Sequence, residues 1–195
     1  MSEPPQTSAL PAGVISEYKP SRLTVWVWTI LALPITAIGA GIYLRAATGG
    51  SGQASGTVHP VELLLYLGLV TILTLVLGVV HEGVHGIVAR AFGARPEYGI
   101  LKIGGVLAGL YTTTPGHRFG RGQYLVVALA PLAIIAPLGI PVCMLPFGGY
   151  LVLPFAIHLS GCLGDATIAW HTLRAPVGAM CEDMRDGCRF WSAAE

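Results

Sequence analysis

The chain alternates long apolar runs with short polar segments. Residues 23–44, 63–80 and 122–164 contain no Asp, Glu, Lys or Arg. About 20 apolar residues in a helix span the hydrocarbon core of a bilayer, so the first two runs each predict one membrane helix. The third run is long enough for two helices and is broken by Pro-Phe-Gly-Gly at 146–149. The pattern therefore predicts four transmembrane helices, the second ending near residue 92 and the fourth covering about 151–173.

The pattern changes between the second and third helices. Residues 98–103 and 106–114 flank Gly104-Gly105 and are typical of two short strands joined by a turn. The predicted fold class is an all-α membrane protein with a small β-hairpin-like segment between helices 2 and 3. The predicted transmembrane domain covers residues 23–177. Residues 1–22 form a polar N-terminal tail that we expect to be loosely held, and 178–195 form a charged C-terminal tail.

Composition supports a membrane protein. Hydrophobic residues make up 53% of the chain and charged residues only 11%, with a mean hydropathy of +0.68. Soluble domains carry about 25% charged residues, so this chain has too few charges for a water-facing surface. The net charge is +1, and we find no basic patch interleaved with aromatic residues. These features predict the lipid bilayer as a partner and exclude nucleic acid.

The basic residues predict an orientation. Of the 11 Lys and Arg, all but Arg45 lie in the N-terminal tail, in the segment between helices 2 and 3, or after the fourth helix. With four spans these three regions share one side of the membrane, and basic residues favour the cytoplasmic side. We therefore expect a multi-pass protein of the cell membrane with both termini in the cytoplasm.

The second apolar run ends in a pattern with metal chemistry. His81, Glu82 and His85 form the sequence His-Glu-x-x-His. Residues four apart share a helix face, so the two imidazoles can point at one Zn²⁺, and Glu82 lies beside them without needing to bind it. Hydrolysis needs this division of roles, because the metal acidifies a water and a carboxylate takes the proton. The sequence predicts His81 and His85 as metal ligands and Glu82 as the catalytic base.

A simpler interpretation is that these polar residues only reach toward the membrane surface. The position of the motif argues against it. Three ionisable groups at the end of an apolar helix are costly to bury unless something compensates them, and a divalent cation does so.

A catalytic zinc site generally has three protein ligands, and five residues are candidates for the third. They are Glu97, His117, His158, Asp165 and His171. Counting depth along each predicted helix places His158 too shallow, and leaves both Asp165 and His171 near the level of His81. Asp165 is favoured because an intramembrane carboxylate needs a partner and no basic residue is obvious within the helices. His171, His117 and Glu97 stay open as alternatives.

These residues resemble a known family. An intramembrane His-Glu-x-x-His at 81–85, a Gly-rich β-like segment after it and Gly164-Asp165 on the last helix are similar to site-2-protease-like intramembrane zinc metalloproteases, and most to a small branch named for zincin peptidases. The resemblance covers roughly residues 61–190. It implies His81, His85 and Asp165 as zinc ligands and Glu82 as general base. The longer Asn-Pro-x-x-Asp-Gly context of larger members is missing, since Ala166 follows Asp165.

The resemblance implies a function. We expect an intramembrane zinc metalloprotease that hydrolyses peptide bonds of membrane-embedded or membrane-proximal substrates. Two other functions fit the same residues: a catalytically inactive zinc-binding membrane scaffold, and a small metal transporter. The carboxylate at Glu82 favours the enzyme, since neither alternative needs an acid at that position.

Overall fold

The computed structural model describes residues 11–50, 59–103 and 106–192. In chain order the elements are β1 (Val14–Tyr18), α1 (Arg22–Ala47), α2 (Pro60–Ala91), β2 (Glu97–Ile103), β3 (Val106–Thr113), β4 (Arg118–Gly120), α3 (Arg121–Cys143), a 3-10 turn (Gly148–Leu151), α4 (Val152–Gly161), α5 (Leu163–Arg174), β5 (Met180–Met184) and β6 (Gly187–Trp191). The chain is mostly helical with small strand segments, which confirms the predicted fold class.

Within the described residues, four helical segments are long and apolar enough to cross a membrane. They are α1, α2, α3 and the combined segment Gly148–Arg174. Large apolar side chains on the outer helices point away from the protein, such as Leu33 at 75% exposure and Leu64 at 69%. Apolar surface of this extent is unfavourable in water and favourable in lipid. The fold is therefore compatible with a multi-pass membrane protein.

The ends of α2 follow from local sequence. Pro60 occupies the first turn, and the Glu62 carboxylate accepts a hydrogen bond of 3.3 Å from the backbone N–H of His59. At the other end Gly93 has a φ of 85°, a backbone conformation that glycine adopts without strain. α2 therefore runs without interruption to Ala91, and the His-Glu-x-x-His motif lies in its last three turns.

The last span is broken rather than continuous. We predicted one helix over about 151–173, but the segment begins with the 3-10 turn and is interrupted at Cys162, between α4 and α5. α4 packs mainly against α1 and also against α2, whereas α5 packs mainly against α3. The break lets the two halves of one span contact different sides of the helix bundle.

The predicted hairpin is present as an antiparallel pair. β2 pairs with β3 from Glu97 opposite Thr113 to Ile103 opposite Val106. The predicted Gly104-Gly105 turn lies outside the described residues. The hydroxyl of Thr112 donates a hydrogen bond of 2.9 Å to the backbone carbonyl of Glu82. The hairpin is therefore attached directly to the motif on α2.

A second, four-stranded sheet was not predicted. Its strand order is β1-β6-β5-β4, and β1 pairs antiparallel with β6. The expected loose tail is therefore wrong for Val14–Tyr18, whose backbone is satisfied by β6 and whose Glu17 carboxylate lies 3.2 Å from Arg189. Residues 1–10 lie outside the described part of the chain. The sheet lies where α3 begins and α5 ends, and its buried side chains pack around Phe119.

Candidate metal centre

Two histidines on α2 point the same ring nitrogen at each other. His81 and His85 are one helical turn apart, and their Nε2 atoms are separated by 3.2 Å. Both side chains are largely buried, at 13% and 11% exposure. The i and i+4 spacing predicted from the sequence is therefore realised as a pair of imidazoles facing one point.

The third member of the group comes from the last span. Asp165 lies in the first turn of α5, and its two carboxylate oxygens reach both histidines. Oδ2 is 3.3 Å from His81 Nε2, and Oδ1 is 3.4 Å from His85 Nε2. The structure thus brings together the three residues predicted as ligands, and their role in binding a metal stays a prediction.

The spacing of these donor atoms fits a small divalent cation. Zinc in a tetrahedral site is bound at about 2.0–2.1 Å by His nitrogen and carboxylate oxygen, which places neighbouring donors about 3.3 Å apart. The two Nε2 atoms are 3.2 Å apart, and each lies at a similar distance from a different Asp165 oxygen, 3.3 Å for His81 to Oδ2 and 3.4 Å for His85 to Oδ1. Asp165 Oδ2 is buried and, within the described residues, has no hydrogen-bond partner. An unsatisfied buried oxygen between two imidazoles is a suitable cation ligand, so the donor set fits zinc.

The other three candidates for the third ligand are engaged elsewhere. The ring of His171 stacks on Tyr18 with centroids 3.8 Å apart, and His117 contacts Phe119 edge-on at 4.5 Å. Glu97 is exposed on β2, where it pairs with Thr113. None of them belongs to a metal-capable group of three side chains among the described residues.

Glu82 lies beside the cluster and lines a cavity of about 960 Å³. His85 and Asp165 line the same cavity, together with Thr112 on β3. The cavity is large enough to admit an extended segment of polypeptide next to the donor atoms. The predicted base, two of the predicted ligands and the hairpin therefore share one space.

Each histidine of the pair also uses its other ring nitrogen. His85 Nδ1 lies 2.8 Å from the carbonyl oxygen of Val127 on α3, and His81 Nδ1 lies 3.1 Å from Nε2 of His158 on α4. His158 had been placed too shallow by the depth count. That count assumed that the two helices begin level, whereas Tyr66 of α2 lies beside Tyr150 at the start of the last span, with ring centroids 6.4 Å apart.

A buried acid in the C-terminal segment also reaches this cavity. Asp183 on β5 lines it, and the hydroxyl of Tyr124 donates a hydrogen bond of 2.8 Å to Asp183 Oδ1. Burial raises the pKa of the Asp183 carboxyl to about 7. Sequence reasoning missed this residue, because the tail has the composition of an exposed charged segment and the contact with Tyr124 spans 59 positions.

Two imidazoles, a carboxylate and a neighbouring glutamate on facing helices are the groups expected in a zinc metallopeptidase. Residues 74–180 match the family model described as "Putative zincin peptidase". The match covers more than half of the chain and includes His81, Glu82, His85 and Asp165. The chain belongs to this family, which supports its assignment as a zinc metallopeptidase.

A curated relative extends the similarity beyond the family model. The chain is 28% identical over 153 residues to the "Uncharacterized 24.7 kDa protein in gap 5'region" of Pyrococcus woesei. The alignment covers 76% of this chain and 65% of the relative, so the chain spans about two-thirds of the length of that protein. No solved structure matches the chain.

Proposed function

We propose that this protein is an intramembrane zinc metalloprotease of the site-2-protease type. It hydrolyses peptide bonds of membrane-embedded or membrane-proximal substrates, with zinc held by His81, His85 and Asp165. One observation carries the proposal: the Nε2 atoms of His81 and His85 lie 3.2 Å apart, and each is 3.3–3.4 Å from one carboxylate oxygen of Asp165, beside a cavity that Glu82 also lines.

The protein side chains divide the chemistry among them. If held by His81, His85 and Asp165, a Zn²⁺ would supply the Lewis acidity that hydrolysis of a peptide carbonyl requires. Glu82 takes the proton of the attacking water and delivers it to the leaving amine.

The hairpin is suited to hold the substrate as a strand. A peptide bond inside a helix is hidden from attack, so a membrane substrate must be extended before cleavage. Leu110, Tyr111 and Thr112 of β3 line the cavity. Within residues 11–50, 59–103 and 106–192, β3 pairs only with β2, so its second edge can accept an added strand through backbone hydrogen bonds.

The orientation belongs to the same proposal. The distribution of Lys and Arg supports a multi-pass protein of the cell membrane with cytoplasmic termini. α2 then runs toward the cytoplasm, and the metal centre near its end lies in the cytoplasmic half of the bilayer. The substrate is a membrane protein or peptide whose scissile bond reaches that depth.

The test compares Glu82→Gln with the same change at Glu97, which is exposed on β2. Each purified full-length protein is reconstituted in liposomes with a panel of quenched fluorescent peptides that each contain one apolar membrane span. Zinc content is measured in the same samples. We expect Glu82→Gln to keep its zinc and to lose cleavage by at least about 100-fold, whereas Glu97→Gln cleaves at the wild-type rate.

Three results contradict the proposal in whole or in part. If the zinc-loaded wild-type protein cleaves none of the peptides, the result supports the inactive zinc-binding scaffold instead. Flux of Zn²⁺ into liposomes that Glu82→Gln leaves intact identifies a metal transporter. Cleavage at the wild-type rate by zinc-loaded Glu82→Gln removes Glu82 as the base.

A further inference from the structure

His158 is a buried histidine outside the three-residue donor group. It lies in α4 with 7% of its surface exposed. Its Nε2 is 3.1 Å from His81 Nδ1, and the two rings meet at 66° with centroids 5.2 Å apart. The side chain thus contacts the rear nitrogen of His81, on the opposite side of that ring from Asp165.

The protonation pattern of His81 assigns a direction to this contact. A neutral imidazole has one N–H donor and one acceptor nitrogen. If His81 Nε2 offers its lone pair to a cation, then Nδ1 must carry the proton. That proton needs an acceptor, and the described atom at hydrogen-bond distance is Nε2 of His158.

His85 satisfies the same requirement in a second way. Its Nδ1 donates to the carbonyl oxygen of Val127 at 2.8 Å, so both imidazoles have a rear acceptor on a neighbouring helix. Histidines that bind metals almost always donate their second N–H to such a partner, which fixes the tautomer and the orientation of the ring.

We propose that His158 is a positioning residue for the metal centre: it accepts the Nδ1–H of His81 and holds that ring with Nε2 directed at Asp165 and His85. The inference rests on the zinc site proposed above. His158 does not touch the substrate or the cation. It acts by keeping His81 in the tautomer and orientation that bind the cation.

A second cation between His81, His158 and Cys162 is the rival explanation for this cluster. Their donor atoms lie within 4.8 Å of one another. However, His81 Nδ1 can bind a second cation only if it gives up its proton or leaves the first site. Cys162 Sγ also lies 3.4 Å from the backbone carbonyl of His158, to which its thiol donates. The contacts therefore favour a hydrogen-bonded His81–His158 pair.

The second ring nitrogen of His158 makes it possible to distinguish a positioning role from a structural one by experiment. Its Nδ1 is buried and has no hydrogen-bond partner in the part of the chain that the structure describes. A buried polar atom without a partner is unfavourable for folding. Replacing His158 by leucine removes that atom, so the zinc-free protein should be about as stable as wild type even though zinc binding weakens.

The test measures Zn²⁺ affinity of the full-length protein in detergent micelles, by competition with a chromophoric chelator. We expect His158→Leu to bind Zn²⁺ about 10–100-fold more weakly than wild type. His158→Gln can place an amide oxygen near the position of Nε2 and should recover most of that loss. Cys162→Ala is the matched neighbouring control and should bind as wild type does. Unfolding midpoints of the zinc-free proteins are measured in parallel.

The outcomes separate the alternatives. Wild-type affinity in His158→Leu, or equal weakness of the glutamine and leucine variants, overturns the positioning role. So does a large drop in zinc-free stability of both His158→Leu and the smaller His158→Ala, since that indicates a structural role. Two Zn²⁺ per chain, reduced to one by Cys162→Ala, establishes a second cation instead. A wild-type protein that binds no Zn²⁺ refutes the proposed metal centre itself.

Discussion

Tyr124 donates a hydrogen bond of 2.8 Å to Asp183, which joins the first turns of α3 to strand β5. The contact connects the membrane helices to the four-stranded sheet, and Asp183 faces the cavity that Glu82 and Asp165 also line. A carboxyl in this setting is costly to ionise. The junction between sheet and helices should therefore respond to pH.

The first prediction concerns stability against pH at Asp183. Burial raises the pKa of its carboxyl in the folded protein from 3.8 to about 7. Between these two values the folded state binds more protons at this group than the unfolded state, so the contribution to stability is present at low pH and is lost as pH rises through about 7. Asp183→Asn should raise the unfolding midpoint by a few degrees at pH 8 and change it little at pH 4.

Asp186→Asn is the control for this measurement, because Asp186 is exposed on the turn after β5. It should leave the pH profile of the unfolding midpoint unchanged. An Asp183→Asn protein whose midpoint shifts equally at pH 4 and pH 8 would show that the amide changes packing rather than charge.

The helices and the motif could be predicted because their signals are local. A run without charges sets each membrane span, and the spacing of His81 and His85 sets their common face. Asp165 was favoured as the third ligand because a lone intramembrane acid needs a partner, and it does lie beside both histidines. These features depend on positions at most a few turns apart or on the scarcity of one residue type.

The remaining features depend on contacts between distant segments. β1 and β6 are short strands from opposite ends of the chain, and the sequence pattern of neither strand predicts which strand it pairs with. His158 was set aside because the two helices were taken to begin at the same depth, but Tyr66 of α2 lies beside Tyr150, an offset that only the packed structure shows. From the sequence alone, Asp183 is expected to be an exposed charge, because its partner Tyr124 lies on α3, 59 positions away.

The second prediction tests the third ligand. Asp165→Ala removes the carboxylate from the donor group, and two histidines alone bind Zn²⁺ much more weakly than three ligands do. Elemental analysis of purified protein should show zinc falling from about one per chain to below about 0.1. His117→Ala is the control, since His117 contacts Phe119 instead, and it should retain zinc. Full zinc content in Asp165→Ala would point to a different third ligand.

The third prediction concerns the core between the sheet and the helices. Phe119 on β4 is fully buried and packs against Tyr124 with ring centroids 5.7 Å apart. Phe119→Ala leaves a cavity and should cost about 3–5 kcal/mol of stability. Phe147→Ala makes the same change at a side chain that is 55% exposed and should cost under about 0.5 kcal/mol. The unfolding midpoints of the two variants are measured in detergent. Equal losses of stability would contradict the conclusion that the sheet is part of the folded core.

The fourth prediction tests whether the hairpin must sit against α2 for cleavage. A Cβ added at Gly86 would collide with the ring of Tyr98 on β2, approaching its Cζ to 2.7 Å. Gly86→Ala should therefore displace the Tyr98 ring and loosen the contact between the hairpin and α2, which should increase hydrogen exchange of the β2 and β3 amides and slow cleavage about 10-fold, with zinc retained.

A double substitution shows whether the collision is the cause. Tyr98→Ala removes the ring, so Gly86→Ala should have little further effect in that background, and the two changes should be strongly non-additive. Gly68→Ala is the control on the same helix, because a Cβ there meets nothing within 4 Å. Additive effects on both exchange and cleavage would mean that Gly86 acts through α2 itself, since displacement of the hairpin predicts coupling between the two positions.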